Sequence, residues 1–178
     1  MAQKVEEKPV KLDARSRDVI ERAIKAIRTY PDTVDMANWV EHDPATPGAE
    51  GGGNAAPYCG TTACLAGHLA LAATGRHPDD ADSMRTGNPK YLYDKLPRWL
   101  QKKVRAVWAS LPYHGERVAV GTIGLAILGQ KTTEKWDSLF HASNWPTRYA
   151  NQYASGNDAR SNAKAVIGRI RYYLRTGK

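Results

Sequence analysis

The sequence predicts an all-α fold, a single compact domain of about six or seven helices around a buried central helix at 61–74. Apolar residues recur with a helical period of about 3.6 along most of the chain. No segment alternates apolar and polar residues as a half-buried strand would. Prolines and glycines end several of the periodic segments. We expect residues 13–178 to form one domain after a disordered lead at 1–12.

The first helix is predicted over residues 17–30, where apolar side chains share one face until Pro31 ends the pattern. A short helix or turn follows and carries Met36 and Trp39 into the core. Residues 41–57 ("EHDPATPGAEGGGNAAP") are rich in Gly and Pro, so we expect a mobile loop. This loop could close as a lid over the next segment or be a tolerated surface insertion.

The central helix is expected over residues 61–74, because this segment is apolar on nearly every side. Thr61 or Thr62 would cap its first turn, and Gly75 would end it.

The second half of the chain continues the helical pattern. Residues 96–112 form an amphipathic segment, and residues 117–130 fit a strand or, from their length and Leu-Gly ending, a buried helix. Residues 132–140 predict a helix and "SNWP" a turn. Ser155 and Asp158 stand at capping-box spacing before the last helix. The apolar stripe of that helix comprises Ala159, Ala163, Val166, Ile167, Ile170 and Leu174.

Positive charge is concentrated in two segments. The chain has a net charge of +8, and residues 84–106 and 148–178 each hold seven Lys and Arg against one Asp. Four cations of the last helix fall within about 60° of each other on a helical wheel. These four are Arg160, Lys164, Arg171 and Arg175, and the earlier segment adds Lys102, Lys103 and Arg105. Together they are candidates for binding nucleic acid or an acidic host protein, with a solubilising surface as the alternative.

No segment of the sequence indicates a signal peptide or a membrane-spanning helix. The N-terminal residues lack the apolar core of a signal peptide, and the longest apolar run, near 118–128, is too short to cross a bilayer. We therefore expect a cytoplasmic protein with reduced cysteines, no membrane partner and no cofactor.

The segment "PYCGTTACLAGHLALAATG" at 57–75 allows three interpretations. Cys59, placed before a helix N-terminus that lowers a thiol pKa, could act as a nucleophile with His141 and Asn144, or with His114. Such enzymes hold the histidine on a sheet, and no sheet is expected here.

A metal site is the second interpretation. Its ligands would be Cys59, Cys64, His68 and His77, but their spacing is not a standard zinc pattern.

The third and favoured interpretation of this segment is a core helix in which cysteines fill space as small apolar residues. Paired carboxylates, phosphate loops and the common nucleic-acid-binding motifs are not visible in the sequence.

Several motifs give a family resemblance. "DMANWV", "CGTTACLAGHLAL" and "LFHASNWP" together with a terminal helix rich in Ala and Arg are similar to a group of small uncharacterised bacterial and tailed-phage proteins. The resemblance implies a helical fold, favours helix at 118–128, and implies a phage or mobile-element origin. It implies no activity.

These observations favour a small non-catalytic binding or regulatory protein that uses a basic helical face. One alternative is a cysteine-dependent hydrolase or transferase with Cys59 as nucleophile. The other is a structural component of a phage particle or complex, in which Trp145 would be an interface anchor.

Overall fold

The computed structural model describes residues 8–34, 36, 64–76, 93–110, 120–131, 135–154 and 158–178. The all-α prediction is confirmed, because the regular elements in these ranges are helices. They are α1 (Ala14–Thr29), α2 (Leu65–Thr74), α3 (Arg98–Ala109), α4 (Val120–Ile127), α5 (Trp136–Phe140), α6 (Thr147–Ala154) and α7 (Ala159–Thr176). Two 3₁₀ turns, η1 (Pro31–Thr33) and η2 (Ala142–Asn144), join neighbouring helices.

Helices α2 and α4 form the centre of the core. This place was predicted for α2, whereas the sequence left a strand or a buried helix open for the segment that forms α4. Every residue of α4 is buried, and so is every residue of α2 before its last. The two helices come close at Gly124, where an added Cβ would lie 3.1 Å from the Ala66 Cβ and 2.8 Å from Phe140 Cζ. Helix α1 packs on α2, and α3 packs on α4.

The central helix begins later than the sequence indicated. Its N-cap is Cys64, whose backbone is extended, so the helix starts at Leu65 and not at residue 61. The Leu65 amide lies 3.4 Å from Met36 Sδ, and this tertiary contact takes the place of a side-chain cap. Thr61 and Thr62 lie outside the described residues. The predicted end is confirmed, because Gly75 adopts a left-handed conformation with φ of 71°.

Helices α1 and α7 pack against each other and run in opposite directions. The Val10 amide, just before α1, donates to the Leu174 carbonyl oxygen near the end of α7 (2.9 Å). At the other end of α1, η1 packs on α7. The predicted apolar faces are confirmed by the buried residues Val19, Ile20, Ala23, Ile24 and Ile27 of α1 and Ala163, Val166, Ile167 and Ile170 of α7.

Residues 8–12 belong to this packing, which corrects the expectation of disorder through residue 12. Val10 and Leu12 are partly buried against the core. Leu12 lies beside Gly129, whose φ of 73° ends α4, and an added Cβ at this glycine would be 2.9 Å from Leu12 Cδ2. Residues 1–7 and the loop predicted at 41–57 lie outside the described residues.

The last helix is capped by Asp158, which corrects the expectation that Ser155 would serve as its cap. An Asp158 carboxylate oxygen accepts a hydrogen bond from the Arg160 amide (3.0 Å). Ser155 lies outside the described residues. Gly177, with φ of 70°, ends the helix.

The "SNWP" turn is a packed corner between α5 and α6. Trp145 is only 5% exposed, and its indole Nε1 donates to the Leu139 carbonyl oxygen (3.1 Å). Its ring meets that of Tyr153 edge to face at 5.9 Å, and the Tyr153 hydroxyl accepts from the Met36 amide (2.8 Å). Trp145 is therefore a core residue and its side chain is not displayed as a surface anchor, which corrects its nomination as an interface candidate.

Among the described helices, none has both the length and the apolar character needed to cross a membrane.

Candidate anion-binding groove

An open groove of about 510 Å³ lies between the end of α1 and the exposed side of α7. Its lining comprises Arg28, Thr29, Pro31, Arg160, Ala163, Lys164, Ile167, Gly168 and Arg171. The floor is apolar because Ala163 and Ile167, two residues of the core stripe of α7, line it. Four cationic side chains rise from the two helices at its edges, and no Asp or Glu among the described residues lines it.

The helix repeat explains why three of these cations share one side of α7. Arg160, Lys164 and Arg171 fall within about 40° of one another at 100° per residue. They extend along about 16 Å of the helix at 1.5 Å per residue. Arg28 joins them from the last turn of α1, because the antiparallel packing brings the end of α1 to the first half of α7.

The groove is a site of uncompensated positive charge. All four cations are exposed, and none of them forms an ion pair with another described residue. The carboxylates nearest in sequence are Asp158, which caps α7, and Asp32 of η1; neither lines the groove. An anion that entered the groove would therefore meet cationic side chains from both helices and an apolar floor beneath.

A cluster of tyrosines and arginines borders the groove at Gly168. This glycine admits the Tyr149 ring, since an added Cβ would lie 2.7 Å from Tyr149 Cε1. The Tyr149 and Tyr172 rings are 5.9 Å apart. The Arg148 guanidinium lies 4.4 Å and 5.0 Å from their centroids. Arg175 lies 5.9 Å from the Tyr172 ring, so this predicted residue is part of the cluster and does not line the groove.

The cations predicted on α3 do not join this site. Lys103 forms an ion pair with Asp13, and its Nζ donates to Ser16 Oγ (3.0 Å), so it ties α3 to the start of α1. Arg105 Nε donates to the Tyr93 hydroxyl (2.7 Å). Lys102 is exposed on α3, and none of the three lines the groove.

Arg169 is one of the seven Lys and Arg residues of the basic segment 148–178, and the structure buries it. The side chain is 1% exposed and donates to main-chain oxygens of Ser138 and Lys178. Burial lowers the pKa of Arg169 from its usual value. A helical wheel indicates the burial of Arg169, because this residue stands about 180° from Arg160. Arg28 was missed, since only tertiary packing brings α1 to α7.

The residues proposed for cysteine chemistry are not assembled by the described part of the chain. Cys59, His77 and His114 lie outside it. The Cys64 side chain is buried, and His141 and Asn144 are exposed around η2.

Of the four metal-ligand candidates, only Cys64 and His68 are described. His68 is buried, and its Nε2 lies 3.2 Å from the Thr33 carbonyl oxygen. Among the described residues, no three His, Cys, Asp or Glu side chains are grouped as metal ligands would be.

Comparison with known proteins gives no match: no family model fits the sequence, and no curated protein or solved structure is significantly similar to it. The resemblance of the motifs to bacterial and tailed-phage proteins stays a prediction.

Proposed function

We propose that this protein is a non-catalytic nucleic-acid-binding protein and that the groove between α1 and α7 holds the phosphate backbone. The observation that carries the proposal is the convergence of Arg28, Arg160, Lys164 and Arg171 on a groove that no carboxylate in the described part of the chain lines. Lys and Arg side chains that neutralise phosphates release condensed counterions, and this release drives binding without any base-specific contact.

The form of the groove favours a polyphosphate over an acidic protein surface. Its α7 cations extend over about 16 Å, which matches about five phosphates of one strand at 3.4 Å per nucleotide. Three of the four cations are arginines, whose planar guanidinium binds phosphate oxygens through two parallel hydrogen bonds. The exposed Arg148 guanidinium, which lies near the Tyr149 and Tyr172 rings beside the groove, offers a planar cation on which a base can rest.

The test is fluorescence anisotropy of a labelled single strand and a labelled duplex at several salt concentrations. Four phosphate contacts predict that log K falls with log salt with a slope of about −3 for a single strand. The double variant Lys164→Glu, Arg171→Glu should weaken binding by more than about tenfold and bring the slope nearer to zero by at least about 1.4, at about 0.7 per contact.

A matched control separates this groove from general net charge. Arg98→Glu, Lys102→Glu reverses two exposed cations on α3 and changes the formal charge by the same amount. We expect the control to retain most of the affinity. An equal loss in both double variants would contradict the groove as the binding surface. No binding to either nucleic acid at low salt would overturn the proposal and favour an acidic protein as the partner.

A further inference from the structure

A second groove, of about 340 Å³, lies on the opposite side of α1, between α1 and the end of α2. Its charged lining residues are Arg22, Lys25 and Arg76, and no Asp or Glu of the described ranges lines it. Ala26, Leu71 and Ala72 give it an apolar floor, and Tyr30 adds a phenol at its edge. Thr29 lines both grooves, so the last turn of α1 is the ridge between them.

Cations continue across this ridge. On the α1 wheel, Lys25 stands about 60° from Arg22 on one side and about 60° from Arg28 on the other. Arg22 and Lys25 line the second groove, and Arg28 lines the first. The three residues therefore step around the solvent side of α1 from one groove to the other, rising about 9 Å along its axis.

Two carboxylates limit this path to the end of the helix. Asp18 forms an ion pair with Arg22 (3.0 Å), which lies one turn before the last turn of α1. Glu21 lies one turn before Lys25. Both would repel a phosphate that approached the first half of α1. A polyanion that passes over α1 is therefore directed across its last two turns, where Lys25 and Arg28 lie.

We propose that one single strand of nucleic acid occupies both grooves, passing from the α1–α7 groove over the end of α1 into the α1–α2 groove. This inference rests on the proposed function of the first groove. A duplex, with a persistence length of about 50 nm, cannot bend around the ridge formed by one helix about 10 Å across. A single strand can, so the two grooves together select single-stranded over duplex nucleic acid.

The experiment compares the double variant Lys25→Gln, Arg76→Gln with the parent protein. Fluorescence anisotropy measures the affinity of each protein for labelled single strands of about 5 and about 12 nucleotides and for a duplex of the longer length. The 12-nucleotide strand should bind the variant more weakly, with a salt slope closer to zero by about 1.4. The 5-nucleotide strand and the duplex should bind both proteins equally, because they contact the first groove alone. Lys25→Gln alone should give about half the slope change, and Arg98→Gln, Lys102→Gln is the neutralisation control.

The outcomes separate this inference from the function it rests on. Suppose that the double variant Lys164→Glu, Arg171→Glu abolishes binding, while Lys25→Gln and the double variant Lys25→Gln, Arg76→Gln bind the 12-nucleotide strand as the parent does. The proposed role of the second groove is then overturned and that of the first is retained. If duplex binding falls as much as single-strand binding in the Lys25 variants, selection for a single strand is overturned. If the groove reversal itself has no effect, both proposals fail. Urea unfolding of each variant distinguishes loss of contacts from loss of fold.

Discussion

Removing the Arg169 guanidinium should destabilise the fold without affecting the groove. Arg169 Nη2 and Nε donate to the Ser138 carbonyl oxygen at 2.7 Å and 3.2 Å, and Nη1 donates to the Lys178 main-chain oxygen at 2.7 Å. These bonds tie α7 to α5 and to the residues after α7. We therefore compare Arg169→Ala, which removes the bonds and the packing, with Arg169→Met, which keeps most of the apolar volume.

The magnitude follows from the partners. The two hydrogen bonds to Ser138 share one acceptor and count as about one charged hydrogen bond, worth about 2 kcal/mol. The bond to the Lys178 oxygen adds nothing to the sum, because Lys178 is exposed and water can replace the Arg169 donor. Arg169→Ala also removes the packing of two methylene groups, about 1.6 kcal/mol. Either substitution also removes the cost of burying a charge, and we take this gain as about 1 kcal/mol, the low end for buried ions replaced by apolar groups. We expect a loss of about 2.5 kcal/mol for Ala and about 1 kcal/mol for Met.

Urea unfolding followed by far-UV circular dichroism measures both losses, and the Ala variant should also melt about 5–10 °C lower than the parent. Nucleic-acid affinity of Arg169→Met should equal that of the parent, because this side chain lies on the opposite side of α7 from Arg160. A loss below about 1 kcal/mol for Arg169→Ala would refute the assignment of Arg169 as an anchor of α7. Equal losses for Ala and Met would refute our division between packing and hydrogen bonding.

Three further substitutions test a helix start, a helix–helix contact and a helix end. The Lys103 hydrogen bond, followed by that of the Ser16 amide, lowers the pKa of Asp13 from 3.8 to about 2, so its stabilising effect is present above about pH 4 and is lost as the pH falls through 2. The pair is exposed, so Asp13→Asn should cost under about 1 kcal/mol at pH 7; a cost that did not shrink between pH 4 and pH 2 would contradict this. Gly124→Ala should cost about 1–3 kcal/mol in urea unfolding, because its Cβ would lie 2.8–3.3 Å from atoms of α5 and α2. Gly75→Ala, with open space but φ of 71°, is the comparison that isolates backbone strain.

The helices could be predicted wherever the apolar pattern was complete within one segment. Residues 14–29 and 159–176 are amphipathic and residues 65–74 are apolar on nearly all sides, so their buried faces follow from the helix repeat. For residues 120–127 the apolar pattern left a strand and a buried helix both open, and the structure shows the buried helix. The start of α2 could not be predicted, because its first amide is bound by Met36, which is distant in sequence.

The candidate site could be predicted only on the α7 side. Arg160, Lys164 and Arg171 are brought together by one helix, so their spacing identifies them. Arg28 belongs to another helix, and its place in the groove depends on the direction in which α1 crosses α7. Lys103 was misjudged for the same reason, since its partner Asp13 is far away in sequence.

The arrangement of charge on α7 argues against a surface that serves solubility alone. Such a surface intersperses charges of both signs, and α1 does so where Asp18 pairs with Arg22 four residues later. Helix α7 instead places Lys164 four residues after Arg160, a like-charge spacing that costs a few tenths of a kcal/mol in an isolated helix. The fold tolerates this repulsion because burial of the other side of α7 fixes the helix. Added salt should therefore screen the repulsion and stabilise the free protein. The same screening should weaken the binding of a phosphate ligand. We expect these two opposite effects of salt if the groove binds an anion.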